Sequence, residues 1–294
     1  IKHSQDRAAK LFNSDRVIYL VNGTTCGIEA AIMAVCPPKS KLIMNRDCHQ
    51  SVINACILGD IHPIYIQAKV CKKTNIIMGI DIEDGKSVID NNLDAKAIVL
   101  TYPTYYGGIY ELKEICDYAH SKGMVAIVDE AHGAHLQLSN QLPESAINQG
   151  ADIVIQSTHK TLPAFTQSSM MHIKGNRVDE NRIVTMLRFL ESSSPSYVLL
   201  TSLELAVDIY DKYGTKLMND LLSNIEKFKS KFENNENIII DNNMDKTKIF
   251  ISLKKLGITG YELDNILREE YKIQVELSNY YGVLLICTIG NDKA

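Results

Sequence analysis

The chain has 294 residues, 45% of them hydrophobic and 22% charged, with a formal net charge of −4. That is enough apolar material for one large core and a smaller second one, and the absence of any Lys/Arg block argues against nucleic acid or an anionic membrane as partner. No apolar stretch reaches the roughly 18 residues of a membrane span. The opening residues do not read as a charged-then-apolar leader, and the seven cysteines, odd in number and without a C-x-x-C pair, read as reduced cytoplasmic thiols.

Ala8, Ala9, Leu11 and Phe12 sit at helical spacing, so the chain opens on what reads as mid-helix, and segments are expected before Ile1 and after Ala294. Residues 17–21 then predict a strand and 24–35 a helix; 41–44 a strand, 50–58 a helix and 61–66 a strand. A polar stretch separates these from a strand at 97–101, a helix at 111–121 and strands at 124–129, 153–156 and 169–173. This alternation predicts a mostly parallel α/β sheet with helices on both faces, in a large domain over 1–196. Residues 197–294 predict a connecting helix, running to about 232 and kinked near Gly214, and a smaller α+β domain. Its expected strands are 238–240, 249–253, 273–277 and 283–287, with a helix at 260–270 capped by Thr259.

Ligands of such sheets sit beyond the carboxyl ends of the strands, and that is where the chemistry-bearing residues fall. Asp129 ends the apolar run Val125-Ala126-Ile127-Val128. A carboxylate there suits a pyridinium nitrogen, although a helix cap or a Mg²⁺ ligand would use the same position. Lys160 follows the next strand in Ser157-Thr158-His159-Lys160-Thr161. An unpaired buried ammonium is costly, a cost that a Schiff base with pyridoxal 5′-phosphate (PLP) removes; the plainer alternative is a surface lysine. Gly23-Thr24-Thr25 opens a helix, where unpaired backbone N–H groups and hydroxyls form an anion site. Ser157 and His159 would close that site from the other side, whereas an ordinary threonine-rich helix start would look the same. His49 lies in a loop from which it could stack on a ring, or be an ordinary surface or core histidine.

Two other patterns point elsewhere. Asp129-Glu130-Ala131-His132 spells an ATPase box, and Gly79 with Asp84-Gly85-Lys86-Ser87 resembles a P-loop. The spacing is one residue too long, however, and Asp81, Glu83 and Asp84 would repel a triphosphate. Glu130, His132 and His135 have some of the character of a zinc group, but Gly133 argues for a turn there and no metal is expected.

Together the motifs resemble the Orn/Lys/Arg decarboxylase family of fold type I PLP enzymes, with the nearest likeness to short bacterial arginine decarboxylase-like members. The segments that carry the resemblance are residues 20–25, 46–51, 101–107, 129–133, 157–162 and 192–197. The resemblance implies a PLP-transferase large domain built on a seven-stranded, mostly parallel sheet. It implies Lys160 as the Schiff-base lysine, Asp129 as pyridinium partner, and Thr24, Thr25, Ser157 and His159 as phosphate ligands. His49 would stack on the ring, Ala131 would pack on its other face, and His132 would lie near the ring hydroxyl. Residues 192–197 would approach the site near a subunit interface. The implied activity is decarboxylation of a basic amino acid, arginine first and lysine or ornithine next, by a cytoplasmic homodimer or larger homo-oligomer. A transaminase, a lyase or a silent homologue would use the same scaffold. The carboxylate that would read the substrate's cationic end is Glu191, Glu204 or Glu276.

Overall fold

Apolar runs that all end on one edge build the centre of the larger sheet. The computed structural model describes residues 1–240 and 245–291. Its larger sheet comprises β1 (Arg16–Leu20), β2 (Lys41–Asn45), β3 (His62–Ile66), β6 (Ala97–Thr101), β7 (Val125–Asp129), β8 (Ile153–Gln156) and β9 (Ser169–Ile173). The order is β1-β9-β8-β7-β6-β2-β3, and only β9 pairs antiparallel with its neighbours. A hairpin of β4 (Ala68–Val70) and β5 (Ile77–Ile80) follows β3. The run Ala126-Ile127-Val128 is wholly buried because helices cover both faces, which is why these strands are continuously apolar rather than alternating.

On one face, Ile98, Leu100, Ala126 and Val128 pack with α1 (Lys2–Leu11), α5 (Leu112–Ser121), α8 (Tyr197–Ile209) and α9 (Thr215–Ser230). On the other, Met44, Val99, Ile127 and Ile155 pack with α2 (Gly23–Val35), α3 (Gln50–Gly59) and α7 (Glu180–Leu190). Each such aliphatic side chain contributes about 1.5–3 kcal/mol by burial.

The expected strands of this sheet and the helices at 24–35, 50–58 and 111–121 are present within one residue of their expected ends. Among the elements not expected are the β4–β5 hairpin, α4 (Ile82–Asp90) and α7. In α4, Asp81 caps the helix by accepting from the N–H groups of Glu83 and Asp84. The P-loop-like run Asp84-Gly85-Lys86-Ser87 is thus helix interior, with Lys86 paired to Glu83 and Glu114. A very short α6 (Thr158–Thr161) carries Lys160.

The expected kink lies between α8 and α9 as a π turn over Tyr210–Gly214. Gly214 packs against Leu138, where a Cβ would come within 2.5 Å of a methyl. The smaller sheet runs β10-β11-β13-β12, from β10 (Ile239–Ile240), β11 (Lys248–Ser252), β12 (Leu277–Asn279) and β13 (Gly282–Ile286). It is flanked by α10 (Gly260–Tyr271), which Thr259 and Glu262 close with a reciprocal capping box. The expected strand at 273–277 is corrected. The chain leaves α10 through Lys272 in the left-handed region, and Ile273 N–H is spent on the Leu267 carbonyl. The backbone needed for a strand is used as a helix cap, and β12 starts only at Leu277.

Candidate active site

The carboxyl edge of the larger sheet opens into a cavity of about 540 Å³. Thr24, Thr25, His49, Asp129, Ala131, His132, Ser157, His159 and Lys160 all line it. They arrive from four places: the start of α2, the loop after β2, the loop after β7, and the β8–α6 junction.

The α2 start presents backbone N–H groups with hydroxyls around them, the donors that an anion would need. Gly23 adopts φ +78°, a conformation that favours glycine. Thr24 Oγ1 lies 2.5 Å from Ser157 Oγ and 2.9 Å from Ser169 Oγ. His159 donates from Nδ1 to the Ser168 carbonyl at 2.9 Å. Glu191, one of the three carboxylates expected for the substrate, instead accepts from the Val21 and Asn22 N–H groups at 3.2 and 3.4 Å. It supports this loop rather than facing the cavity.

Asp129 is 3% exposed. Burial raises its carboxyl above the ordinary range, against the pull of the Ala131 N–H, His49 and Lys160. A cationic ring N–H in the cavity would relieve that cost. His49 accepts through Nδ1 from the Ser51 N–H at 3.2 Å, with Ser51 Oγ at 2.8 Å, so the neutral ring carries its proton on Nε2.

Lys160 is pushed down by burial, opposed by Asp129 and Glu276. Its Nζ lies 3.1 Å from His132 Nε2. The other ring nitrogen of His132 lies 3.1 Å from the Nζ of Lys248. Burial and the flanking lysines hold His132 far below the usual histidine range, so its ring is neutral. Lys248 begins β11 and is fully buried. It was not anticipated from sequence, although a lysine opening the apolar run Ile249-Phe250-Ile251 was a usable signal. Tyr105 stands edge-on to His132, with ring centres 5.0 Å apart, and donates to Glu276 Oε1 at 2.7 Å.

The acidic and histidine residues of 129–135 diverge. Glu130 is fully buried and accepts from Ser145 Oγ, the Ala146 N–H and Gln156 Nε2 at 2.6–2.8 Å. His135 Nε2 lies 3.0 Å from Asp245. Glu130, His132 and His135 therefore face three different sets of partners. Residues 192–197 are exposed and do not line the cavity.

Burial pushes Glu130 up to about 7 despite its three donors. Because the folded value exceeds the unfolded one, the stability this group contributes is present at low pH and lost as pH rises through about 7. Glu130→Ala strands three buried donors and is expected to cost about 3 kcal/mol, read by denaturant unfolding. Glu130→Gln is expected to flatten the pH dependence of the same measurement.

The family model for the Orn/Lys/Arg decarboxylase major domain matches residues 1–252. The chain belongs to the Orn/Lys/Arg decarboxylase family. It is 34% identical over 304 aligned residues to an arginine decarboxylase of Bacillus cereus, covering all of this chain and 66% of that relative. The inducible lysine decarboxylase of Escherichia coli is 26% identical over 79% of this chain and 34% of its own length. The chain thus spans less than two thirds of these relatives. Lysine decarboxylase A from Pseudomonas aeruginosa superposes with a TM-score of 0.87 at 20% identity, over 100% of this chain and 49% of that structure.

The fold is that of the fold type I PLP enzymes, and PLP is the cofactor of this family. The cavity fits that cofactor. An anion cradle, a buried carboxylate and an amine line one space, and the hydroxyl of Thr101, also on the cavity wall, is buried without a hydrogen-bond partner.

Proposed function

We propose that this family member decarboxylates a basic amino acid, arginine first, with PLP held by Lys160, and so supplies a polyamine precursor and CO₂. The observation that carries the reading is the convergence of Lys160, Asp129 and the α2 start on one cavity, with Glu276 beside it. When bound, the cofactor supplies an electron sink for the pair left behind as the carboxylate departs. The remaining work falls to residues of this chain. Thr24, Thr25, Ser157 and His159 bind the phosphate. Asp129 would keep the ring nitrogen protonated, and His49 and Ala131 would hold the ring between them. Loss of CO₂ requires one proton to return to Cα; Lys160 Nζ or His49 Nε2 delivers it, since His49 Nδ1 is engaged by Ser51.

Of the three carboxylates considered for the substrate's cationic end, Glu276 has the supporting geometry. Tyr105, which lines the cavity, holds it, whereas Glu191 braces the α2 loop and Glu204 is an exposed residue of α8. Residues 1–196 act as the cofactor-binding domain and 197–294 as the connecting helix and smaller domain. The active form is a homodimer or larger homo-oligomer in the cytoplasm.

The PLP-loaded protein incubated with arginine, lysine and ornithine is expected to release CO₂ fastest from arginine, with agmatine as the other product. A 2-oxo acid instead of an amine would replace this reading with transamination. Glu276→Gln is expected to raise KM for arginine several-fold, up to about fivefold, an exposed charge pair being worth at most about 1 kcal/mol. An unchanged KM would remove Glu276 from the substrate site.

A further inference from the structure

Three nitrogen bases stand in line from the cavity wall inward: Lys160 Nζ and the His132 ring on the wall, and Lys248 Nζ buried behind them. Both gaps are 3.1 Å. A neutral imidazole has one N–H donor and one acceptor, so both hydrogen bonds form only if one amine donates and the other accepts. One of the two lysines is therefore neutral whenever the line is intact. Two ammonium groups would leave one of them aimed at an N–H.

The surroundings of Lys248 make it the natural holder of the proton. It is fully buried on β11. The charged and titratable groups acting on it are Asp245 from its own turn, Glu276 ahead of β12, Lys160 from α6 and Cys287 after β13, besides His132 itself. Asp245 is fully buried and lies 3.0 Å from His135. Burial alone would raise Asp245, but His135, Lys248 and the Thr247 N–H outweigh it and hold the group as a carboxylate. Lys248 thus has a buried anion in its own turn, and burial brings its value down only to about 8, within reach of exchange near neutral pH.

The turn is also locked to the site. Asp245 N–H donates to the Gly107 carbonyl at 2.8 Å, and a Cβ at Gly107 would come within 2.7 Å of Lys248 Cγ. Gly107 itself adopts φ +88°, where a side chain is strained.

We propose that Lys248 is a positioning residue that acts through His132 as the proton reserve of Lys160. In the resting arrangement Lys248 holds the proton and donates to His132 Nδ1, while His132 Nε2–H donates to the Lys160 nitrogen and keeps it unprotonated. When Lys160 needs a proton, one passes from Lys248 Nζ to His132 Nδ1 as the Nε2 proton passes to Lys160 Nζ. Lys248 ends neutral, Lys160 ends as an ammonium, and the net charge of the line is unchanged. Decarboxylation takes up one proton per turnover, so a second store beside Lys160 has a use. The proposal rests on Lys160 being the cofactor lysine, as in the function proposed above.

The test is the pH titration of the visible absorbance of lysine-bound pyridoxal in the PLP-loaded protein, with turnover measured in parallel. Lys248→Met removes the cation at the far end of the line and is expected to raise the titration midpoint by roughly one pH unit. In a His132→Phe background the same substitution is expected to move the midpoint little. An unmoved midpoint in Lys248→Met, or an equal shift in both backgrounds, overturns the relay.

Lys248→Arg keeps the buried cation and its donor, and covers the case in which the Met variant does not fold. Arginine does not give up its proton, so this variant is expected to keep the parent midpoint while kcat falls at least tenfold at unchanged KM. Parent turnover in Lys248→Arg overturns the proposal. Absence of the visible band in the parent protein would instead count against Lys160 as the cofactor lysine, which is a separate failure.

Discussion

Lys160→Ala is expected to abolish the visible absorbance of lysine-bound pyridoxal and to lower kcat by on the order of 10³-fold or more, read by spectrophotometry and CO₂ release. The loss has two sources. Lys160 is the only lysine among the described residues lining the cavity, so none of the others supplies an amine for the cofactor aldehyde. In the proposed reaction it is also one of the two groups that return a proton to Cα. The fold is expected to survive, because α6 is one short turn anchored by the backbone around Ser157 and Leu162 rather than by the lysine side chain. A normal thermal transition with no visible band is the expected pair of results, and a retained band would remove Lys160 from its role.

Asp129→Asn is expected to lower kcat/KM by about 10²–10³-fold, the range for loss of one preorganised electrostatic group. In the cofactor-free protein the same substitution is expected to leave unfolding stability at neutral pH unchanged or raised. Burial lifts the Asp129 carboxyl above its ordinary value. A raised acid contributes stability at low pH and loses it as pH climbs through the folded value, so at neutral pH the charge is a cost that asparagine does not carry. Activity and stability should therefore separate in this variant. Parallel steady-state kinetics and denaturant unfolding test it; a loss of both together would make Asp129 a structural residue.

The larger sheet was legible from sequence because a parallel strand covered by helices on both faces is apolar at every position. The run 125–128 followed by Asp129 needs no distant information to be read as a strand ending in a carboxylate at the sheet's carboxyl edge. The α2 start was legible for a related reason, since Gly23, Thr24 and Thr25 follow a strand directly and the chemistry of a helix start is local. All nine expected site residues line one cavity because they end strands, begin helices or lie in the turn directly after a strand, all at the carboxyl edge of the sheet.

What the sequence did not show depends on contacts between remote segments. Helix α4 was hidden by Gly79, Gly85 and a cluster of charges, and its apolar side is supplied by Ile82, Val88 and Ile89 packing on the main core. Residues 273–276 have the composition of a strand, but the cap of α10 takes the backbone first. Lys248 meets His132 across 116 positions, and Glu276 meets Tyr105 across 171. The apolar run after Lys248 hints at its burial, but no local pattern pairs it with a histidine that far away, and nothing local ranks Glu276 above Glu191, which the α2 loop occupies.

The presence of a second lysine, fully buried and one histidine ring away from Lys160, makes the cofactor's attachment point the most direct measurement. Borohydride reduction of the PLP-loaded protein, followed by proteolysis and mass spectrometry, fixes the pyridoxyl group to one side chain. The expected result is a single modified peptide with the label on Lys160. A label on Lys248, or on neither lysine, would contradict the account.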